Sequence, residues 1–418
     1  MTLTNYWYLL AAIPVFGLCV LIHELGHFLT AKWAGIRVEE FGLGLPPRIV
    51  GFRKRSSGRG WEVVWFSGPR NPEDAYADRS PEIADGGESA TGGTIQAAPN
   101  AALKRPENHH TIYSLNFLPI GGFVRMPGEN GEAYDEEGRY DPGSFASKTA
   151  GKRIIVLVAG VTMNVILAMV LFMVAFGLGQ PVSSPKVGTV VANSPSAKAG
   201  LLPGDTFIKV DGQSVQQFSD VQDITNRIIA QHSHDQTVPI TVVIRHQGQT
   251  QDVTTVIYAR VHPPSGQGPM GISSSTDAVL IKYPFWQAPV EGVKETFTVT
   301  GQFISTIFQM ITGQIAPQIS GPVGIVKYAG ETAQSVPTLG WWPLLSLTAI
   351  LNINLAIVNI LPFPALDGGR IFLILIELLR GGKRLKPELE GMINLAGMAV
   401  LLTLMVVITV SDVMHWGS

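Results

Sequence analysis

The amino-acid sequence predicts a polytopic α-helical membrane protein with about four transmembrane helices and one small, mainly β domain on the outer side. Three observations carry this. Of 418 residues, 46% are hydrophobic and only 15% are charged, with a mean hydropathy of +0.23, too apolar for an ordinary soluble globule. Four stretches are long and apolar enough to cross a hydrocarbon layer of about 30 Å, which needs about 20 residues of helix. Between the second and third of these, alternating β-branched runs broken by Gly, Asn and Asp read as short strands.

The four stretches are Tyr6 to Leu29, Ile154 to Phe176, Trp341 to Ile360 and Met392 to Val410. The first has no basic residue in front of it and no small-residue cleavage site behind it, so it reads as a retained span rather than a signal peptide. Basic residues orient the set, because Lys and Arg near span ends stay cytoplasmic. Lys32, Arg37, Arg48, Arg53, Lys54 and Arg55 follow the first span, and Lys152 and Arg153 precede the second. Arg380, Lys383, Arg384 and Lys386 lie between the third and fourth. Both inter-span segments are therefore expected inside, and both termini and residues 180 to 340 outside. The formal net charge of -2 offers no basic excess for nucleic acid. The single cysteine, Cys19, has no disulfide partner within the chain and reads as a small buried hydrophobe.

The soluble parts divide by composition. Residues 67–110 are polar, rich in Gly, Pro, Ala and acidic residues and without periodicity, as in a flexible insertion of no assigned role. The outer segment contains VGTVVANSPSAKAGLLPGDTFIKVDGQSV, residues 187 to 215. It resembles a PDZ domain: Ala199, Gly200, Leu201, Gly204 and Asp205 match that family's AGLxxGD turn, and Asp211 and Gly212 the turn that follows. Such a domain holds peptide ends or edge strands by adding a strand to its sheet, or it only plugs access to a membrane site; both readings stay open. Phe285 to Met310, followed by SGPVGIVKYA, is apolar at roughly helical spacing and predicts an amphipathic segment at the outer surface.

Residues 23 to 27 read His-Glu-Leu-Gly-His. On a helix, His23 and His27 lie on one face and can present two imidazole nitrogens to one metal ion, with Glu24 placed as a general base. By chance HExxH occurs in about one chain of this length in a hundred, so location matters. Ionisable groups inside a span are costly to desolvate and mark functional sites. A catalytic metal usually takes three protein ligands. The candidate for the third is Asp367, in NILPFPALDGGR, where Pro362, Pro364, Gly368 and Gly369 break the third span. The alternative for Asp367 is a turn cap behind the membrane.

HELGH in the first span, the PDZ-like segment outside and NxxPxPxLDGG late in the chain together resemble the site-2 protease family of intramembrane zinc metalloproteases, over nearly the whole chain. The likeness is greatest to the bacterial members related to the regulator of sigma-E protease, although enterobacterial members carry two PDZ domains and this chain has room for one. The resemblance implies Zn2+ as cofactor, held by His23, His27 and Asp367, with Glu24 as general base. It implies that Asn354 and Asn359 hold the substrate backbone or the developing oxyanion; helix-to-helix hydrogen bonding is the other reading. FLPIGGFVRMPGEN, residues 117 to 130, resembles the family's membrane-re-entrant hairpin, with Gly121 and Gly122 at its turn and a strand edge able to pair with an unwound substrate.

The implied architecture runs from a first transmembrane helix (1–35) through a cytoplasmic segment (36–152, hairpin 113–130) to a second helix (153–178). A PDZ-like domain (183–275), a membrane-surface segment (280–340), a broken third helix (341–380) and a fourth helix (390–411) follow. The implied location is a bacterial inner membrane, both termini extracytoplasmic. The implied partners are the lipid bilayer and single-span membrane proteins pre-trimmed by another protease, such as anti-sigma factors or signal-peptide remnants. A zinc-binding membrane transporter has no use for Glu24 as a base, and an inactive PDZ-bearing scaffold would be free to lose either metal motif.

Overall fold

The computed structural model describes residues 4–55, 60–66, 110–129, 141–232, 234–316 and 321–414. All of the predicted insertion except His110 lies outside the described residues. Four helices are long and apolar enough to cross a membrane: α1 (Thr4–Ala34, apolar over Leu10–Ala34), α2 (Ala150–Leu178), α7 (Trp342–Ile360) and α9 (Pro387–Met414). They coincide with the four predicted stretches; α1, α2 and α9 run a few residues further at both ends, and α7 starts one residue later.

The chain forms two compact units. The first comprises residues 1–170, 295–333 and 347–418 and holds α1, most of α2 and α7, α8 (Asp367–Leu379) and α9. It also holds a sheet built from β1 (Glu40–Lys54), β2 (Trp61–Trp65) and β3 (Ile112–Arg125). β1 and β3 are each bent. β3 turns at Gly121, whose φ of +89° only glycine adopts without strain. The first arm of β3 pairs in parallel with residues 40–43 and antiparallel with residues 50–52, and the second arm, Gly122 to Arg125, pairs antiparallel with residues 40–43. The glycine pair was expected to turn a hairpin; instead both sides of the bend pair with β1. The outer edge of the second arm is left without a strand partner among the described residues.

Inside this sheet, Arg48 and Glu40 form a buried bidentate ion pair at 3.0 and 2.6 Å. α1 is tied to α7 by Asn352, whose buried Nδ2 donates to Cys19 Sγ at 3.0 Å and to the Thr348 carbonyl at 2.8 Å. At the other end of α9, Asp412 accepts from the backbone N–H groups of Gly321 and Gly324 at 3.2 and 2.8 Å. That caps α6 (Pro322–Leu339) with a carboxylate, where the orphan N–H groups and the positive end of the helix dipole favour one.

The second unit comprises residues 171–294 and 334–346. Its core is a four-stranded sheet in the order β7-β6-β8-β9, where β6 is Thr206–Val210, β7 Gln213–Ser214, β8 Thr237–Arg245 and β9 Asp252–Arg260. β8 reads alternately buried and exposed, so Val238, Ile240, Val242 and Ile244 enter the core with Phe207, Val210 and Ile257. α4 (Phe218–Gln231) turns Val221 and Ile224 into the same core. Gly200, Gly204 and Gly212 all have positive φ, as the turns read from AGLLPGD and DG require. Two short strand pairs complete the unit: β4 (Gln180–Ser183) with β11 (Ala278–Ile281), and β5 (Val187–Val190) with β10 (Ile272–Ser274).

Replacing Arg48 by Met leaves the Glu40 carboxylate buried without its bidentate partner, a change expected to cost about 3 kcal/mol. Hydrogen exchange in β1 and β3 is expected to speed up while exchange in the second unit stays as in the wild type.

Candidate active site

The site is assembled from three helices of the first unit. His23 and His27, one turn apart on α1, are 6% and 7% exposed and their Nε2 atoms lie 3.1 Å apart. Asp367 is the first residue of α8, and its Oδ2 stands 3.2 Å from His23 Nε2 and 3.3 Å from His27 Nε2.

Asp367 arrives there because the chain stops being helical at Ile360 and restarts at Asp367, after six non-helical residues. Pro362 and Pro364 cannot donate to a helical ladder. A short series of bonds, from Leu361 N–H to Val358, Phe363 to Leu361 and Leu366 to Phe363, carries the backbone through the break. The doubled-back chain needs the following glycines: a Cβ on Gly368 would collide with the carbonyl oxygens of Ile360 and Leu361, and one on Gly369 with that of Phe363. α9 closes over this turn, with Gly397 against Pro364 and the Asn394 side chain accepting from Ala365 N–H at 3.4 Å. One turn into α8, Arg370 reaches Glu129, just past β3, at 2.8 Å.

α2 contributes no ligand, yet it packs directly on the histidines. A Cβ on Gly160 would stand 2.5 Å from His27 Nε2 and 2.8 Å from His23 Cε1. A Cβ on Gly26 would meet the Ala159 carbonyl oxygen at 2.5 Å, so the two helices touch through backbone. His27 Nδ1 lies 2.8 Å from the Val156 carbonyl oxygen. A carbonyl can only accept, so Nδ1 carries the proton and Nε2 keeps its lone pair. His23 Nδ1 lies 3.2 Å from the Asn164 side-chain amide.

Three electron-pair donors thus face one another across 3.1 to 3.3 Å. Asp367 Oδ2 is buried and makes no hydrogen bond of proper geometry among the described residues, although both imidazoles are in reach. Lone pairs pointed at one another repel unless a cation sits among them. A tetrahedral metal with bonds of about 2.0–2.1 Å separates neighbouring ligand atoms by about 3.4 Å, close to the spacing observed. Two imidazoles and one carboxylate fit a divalent metal and leave a position open for a fourth ligand.

The other predicted residues fall at different distances from this cluster. Glu24 is half-buried, and a Cβ on Gly122 would lie 3.3 Å from its Cγ, so the second arm of β3 passes directly beside Glu24. Asn359 reaches the cluster, its Nδ2 3.3 Å from His23 Nε2. Asn354 lies earlier on α7, half-buried, with Oδ1 lacking a hydrogen-bond partner and no bond to the three donors among the described residues. Sequence reasoning missed the face of α2 and Asn352. A lone Asn in an apolar span, expensive to desolvate, was the readable signal for Asn164 and equally for Asn352; the Val156 carbonyl has none.

A buried His, His, Asp cluster with an adjoining glutamate, set among helices long and apolar enough to span a membrane, defines a membrane metalloprotein with the ligand chemistry of a hydrolytic centre. The model of peptidase family M50 matches residues 11–68 and 97–404, and the chain belongs to that family. It is 30% identical to zinc metalloprotease RasP of Oceanobacillus iheyensis, over 96% of this chain and 98% of that relative. It is also 30% identical to zinc metalloprotease RasP of Geobacillus kaustophilus, over 97% of each. The Bacillus licheniformis protein of the same name is 29% identical over 97% of this chain and 98% of its own.

Gly160→Ala places a methyl group in the space of both imidazoles. In detergent, the variant is expected to bind a divalent metal at least 10-fold more weakly than the wild type. Equal affinity in a Zn2+ titration would show that α2 does not seat the histidines.

Proposed function

We propose that the chain is an intramembrane zinc metalloprotease that hydrolyses peptide bonds of single-span membrane proteins, with His23, His27 and Asp367 as zinc ligands and Glu24 as general base. The observation that carries this reading is the convergence of three lone-pair donors beside a glutamate, in a chain whose family and named relatives are zinc peptidases. His23, His27 and Asp367 would hold the zinc, which when bound would supply a Lewis acid for the scissile carbonyl and for water.

The chain's own residues supply the rest. Glu24, next to His23 on α1, takes the proton of the attacking water and returns it to the leaving amine. Asn359 Nδ2, at the rim of the cluster, donates to the carbonyl oxygen as negative charge builds on it. Asn354, earlier on the same helix, holds the substrate backbone. A helical substrate hides its carbonyl carbons in its own hydrogen-bonded ladder, so it must unwind first. The open edge of the second arm of β3 offers the replacement hydrogen bonds, and Gly122, lacking a side chain, lets that strand pass against Glu24.

Membrane placement completes the reading. The Lys and Arg pattern puts the metal cluster and the sheet toward the cytoplasmic leaflet of a bacterial inner membrane, with the bend of β3 re-entering it and both termini outside. The second unit is then the extracytoplasmic PDZ-like domain, supported by its positive-φ turns at Gly200, Gly204 and Gly212. α5 (Ala288–Ile311) exposes Val290, Phe297, Ile304 and Ile311 at seven-residue spacing, an apolar stripe suited to lie on a lipid surface. Substrates trimmed outside by another protease are cut faster, because a bulky outer domain hinders entry of an unwound strand.

In purified protein, Glu24→Gln is expected to retain zinc and to cleave a model single-span substrate at least about 100-fold more slowly; cleavage at the wild-type rate would remove Glu24 as the base. Asp367→Ala is expected to lose most bound zinc, as read by metal analysis, and unchanged occupancy would take Asp367 out of the ligand set. Equal cleavage of full-length and pre-trimmed forms of one substrate would dismiss the trimming requirement.

A further inference from the structure

We propose that Asn164 is the positioning residue of His23: its side-chain carbonyl accepts a hydrogen bond from His23 Nδ1–H and so directs the Nε2 lone pair at the metal. The inference rests on the assignment of His23 as a ligand and extends it to a helix that holds no ligand.

Val156, Gly160 and Asn164 recur every four residues, so they share one face of α2. The two outer members stand opposite the two imidazoles. At one end the Val156 carbonyl meets His27 Nδ1 at 2.8 Å. At the other the Asn164 amide meets His23 Nδ1 at 3.2 Å. Between them Gly160 leaves room for both rings, since a Cβ there would collide with each. The rings cannot swing away without leaving this seat.

Asn164 is fully buried, and its only side-chain hydrogen bond among the described residues is to His23. Its Oδ1 has no partner, while Nδ2 is the atom placed toward the ring. With Nδ2 donating to Nδ1, the single proton of neutral His23 would have to sit on Nε2. That nitrogen faces Asp367 at 3.2 Å and His27 at 3.1 Å, and a proton there takes away the electron pair a metal needs. The two ends of an amide have the same shape and exchange by a half-turn. With Oδ1 toward the ring, the amide still makes one hydrogen bond, but Nδ1 keeps the proton, and His23 takes the same tautomer that the Val156 carbonyl enforces on His27. An oxygen acceptor behind a metal-binding imidazole holds its orientation and raises its basicity. α2 therefore supplies one acceptor for each histidine, a backbone carbonyl and a side-chain carbonyl.

The test compares full-length wild type, Asn164→Asp and Asn164→Leu in detergent, measuring Zn2+ affinity by competition with a chelating dye. Leu fills similar volume without an acceptor and is expected to weaken zinc binding 10- to 100-fold. Asp keeps an acceptor and is expected to stay within about threefold of wild type, a rescue that a purely space-filling role would not produce. Unfolding of the metal-free forms serves as the control, with the Leu variant expected to match the wild type. Independently of any variant, long-range nitrogen-proton NMR of the metal-free wild type is expected to show the His23 proton on Nδ1. Wild-type affinity in the Leu variant, equal loss in the Asp variant, or a His23 proton on Nε2 would each overturn the assignment. Absence of zinc binding by the wild type would instead overturn the ligand set beneath it.

Discussion

The rest of the first unit depends on holding two imidazoles and a carboxylate with their lone pairs turned toward one point inside an apolar surrounding. Each group is costly to bury and the arrangement is self-repelling, so the protein must impose it. The scaffold does so with close backbone approaches: Gly26 against Ala159, Gly160 against the two rings, Gly368 and Gly369 against the broken end of α7, and Gly397 against Pro364. At these contacts small residues let elements approach within distances that a methyl group would prevent, a common device of helix packing in lipid.

A division of labour follows. α1 presents two imidazoles and Glu24, and the restart at α8 brings the carboxylate. α2 fixes the rings from behind, and α9 supports the turn that delivers Asp367. The bent sheet adds the last element, a strand edge beside Glu24. Both bends come at residues that release the backbone, Gly44 with φ +84° and Gly121 with φ +89°, and they let the arms of two strands interleave next to the first helix.

Much of this was legible in the sequence. The four long apolar helices follow from run length and hydropathy, the pairing of His23 with His27 from the i, i+4 spacing, and the break at Asp367 from prolines and glycines that interrupt an apolar run at an acidic residue. The strand interleaving was not legible, because pairing across β1 and β3 depends on contacts between distant segments that local alternation does not encode. α4 carries a signal of its own, Phe218, Val221, Ile224 and Ile228 recurring at helical spacing, which reading the segment as strands and turns passes over. The seat on α2 was legible only in part: Asn164 is an anomaly in an apolar run, whereas Val156 acts through its carbonyl, which every residue possesses.

The broken span has a consequence for biogenesis. Of the four long apolar helices, the earliest in the sequence carries the two imidazoles, while the carboxylate opens α8, between the later two. A nascent chain that holds only α1 and α2 has two of the three donors. The three donors therefore come together only after the helices on both sides of Asp367 have been made and packed against α1.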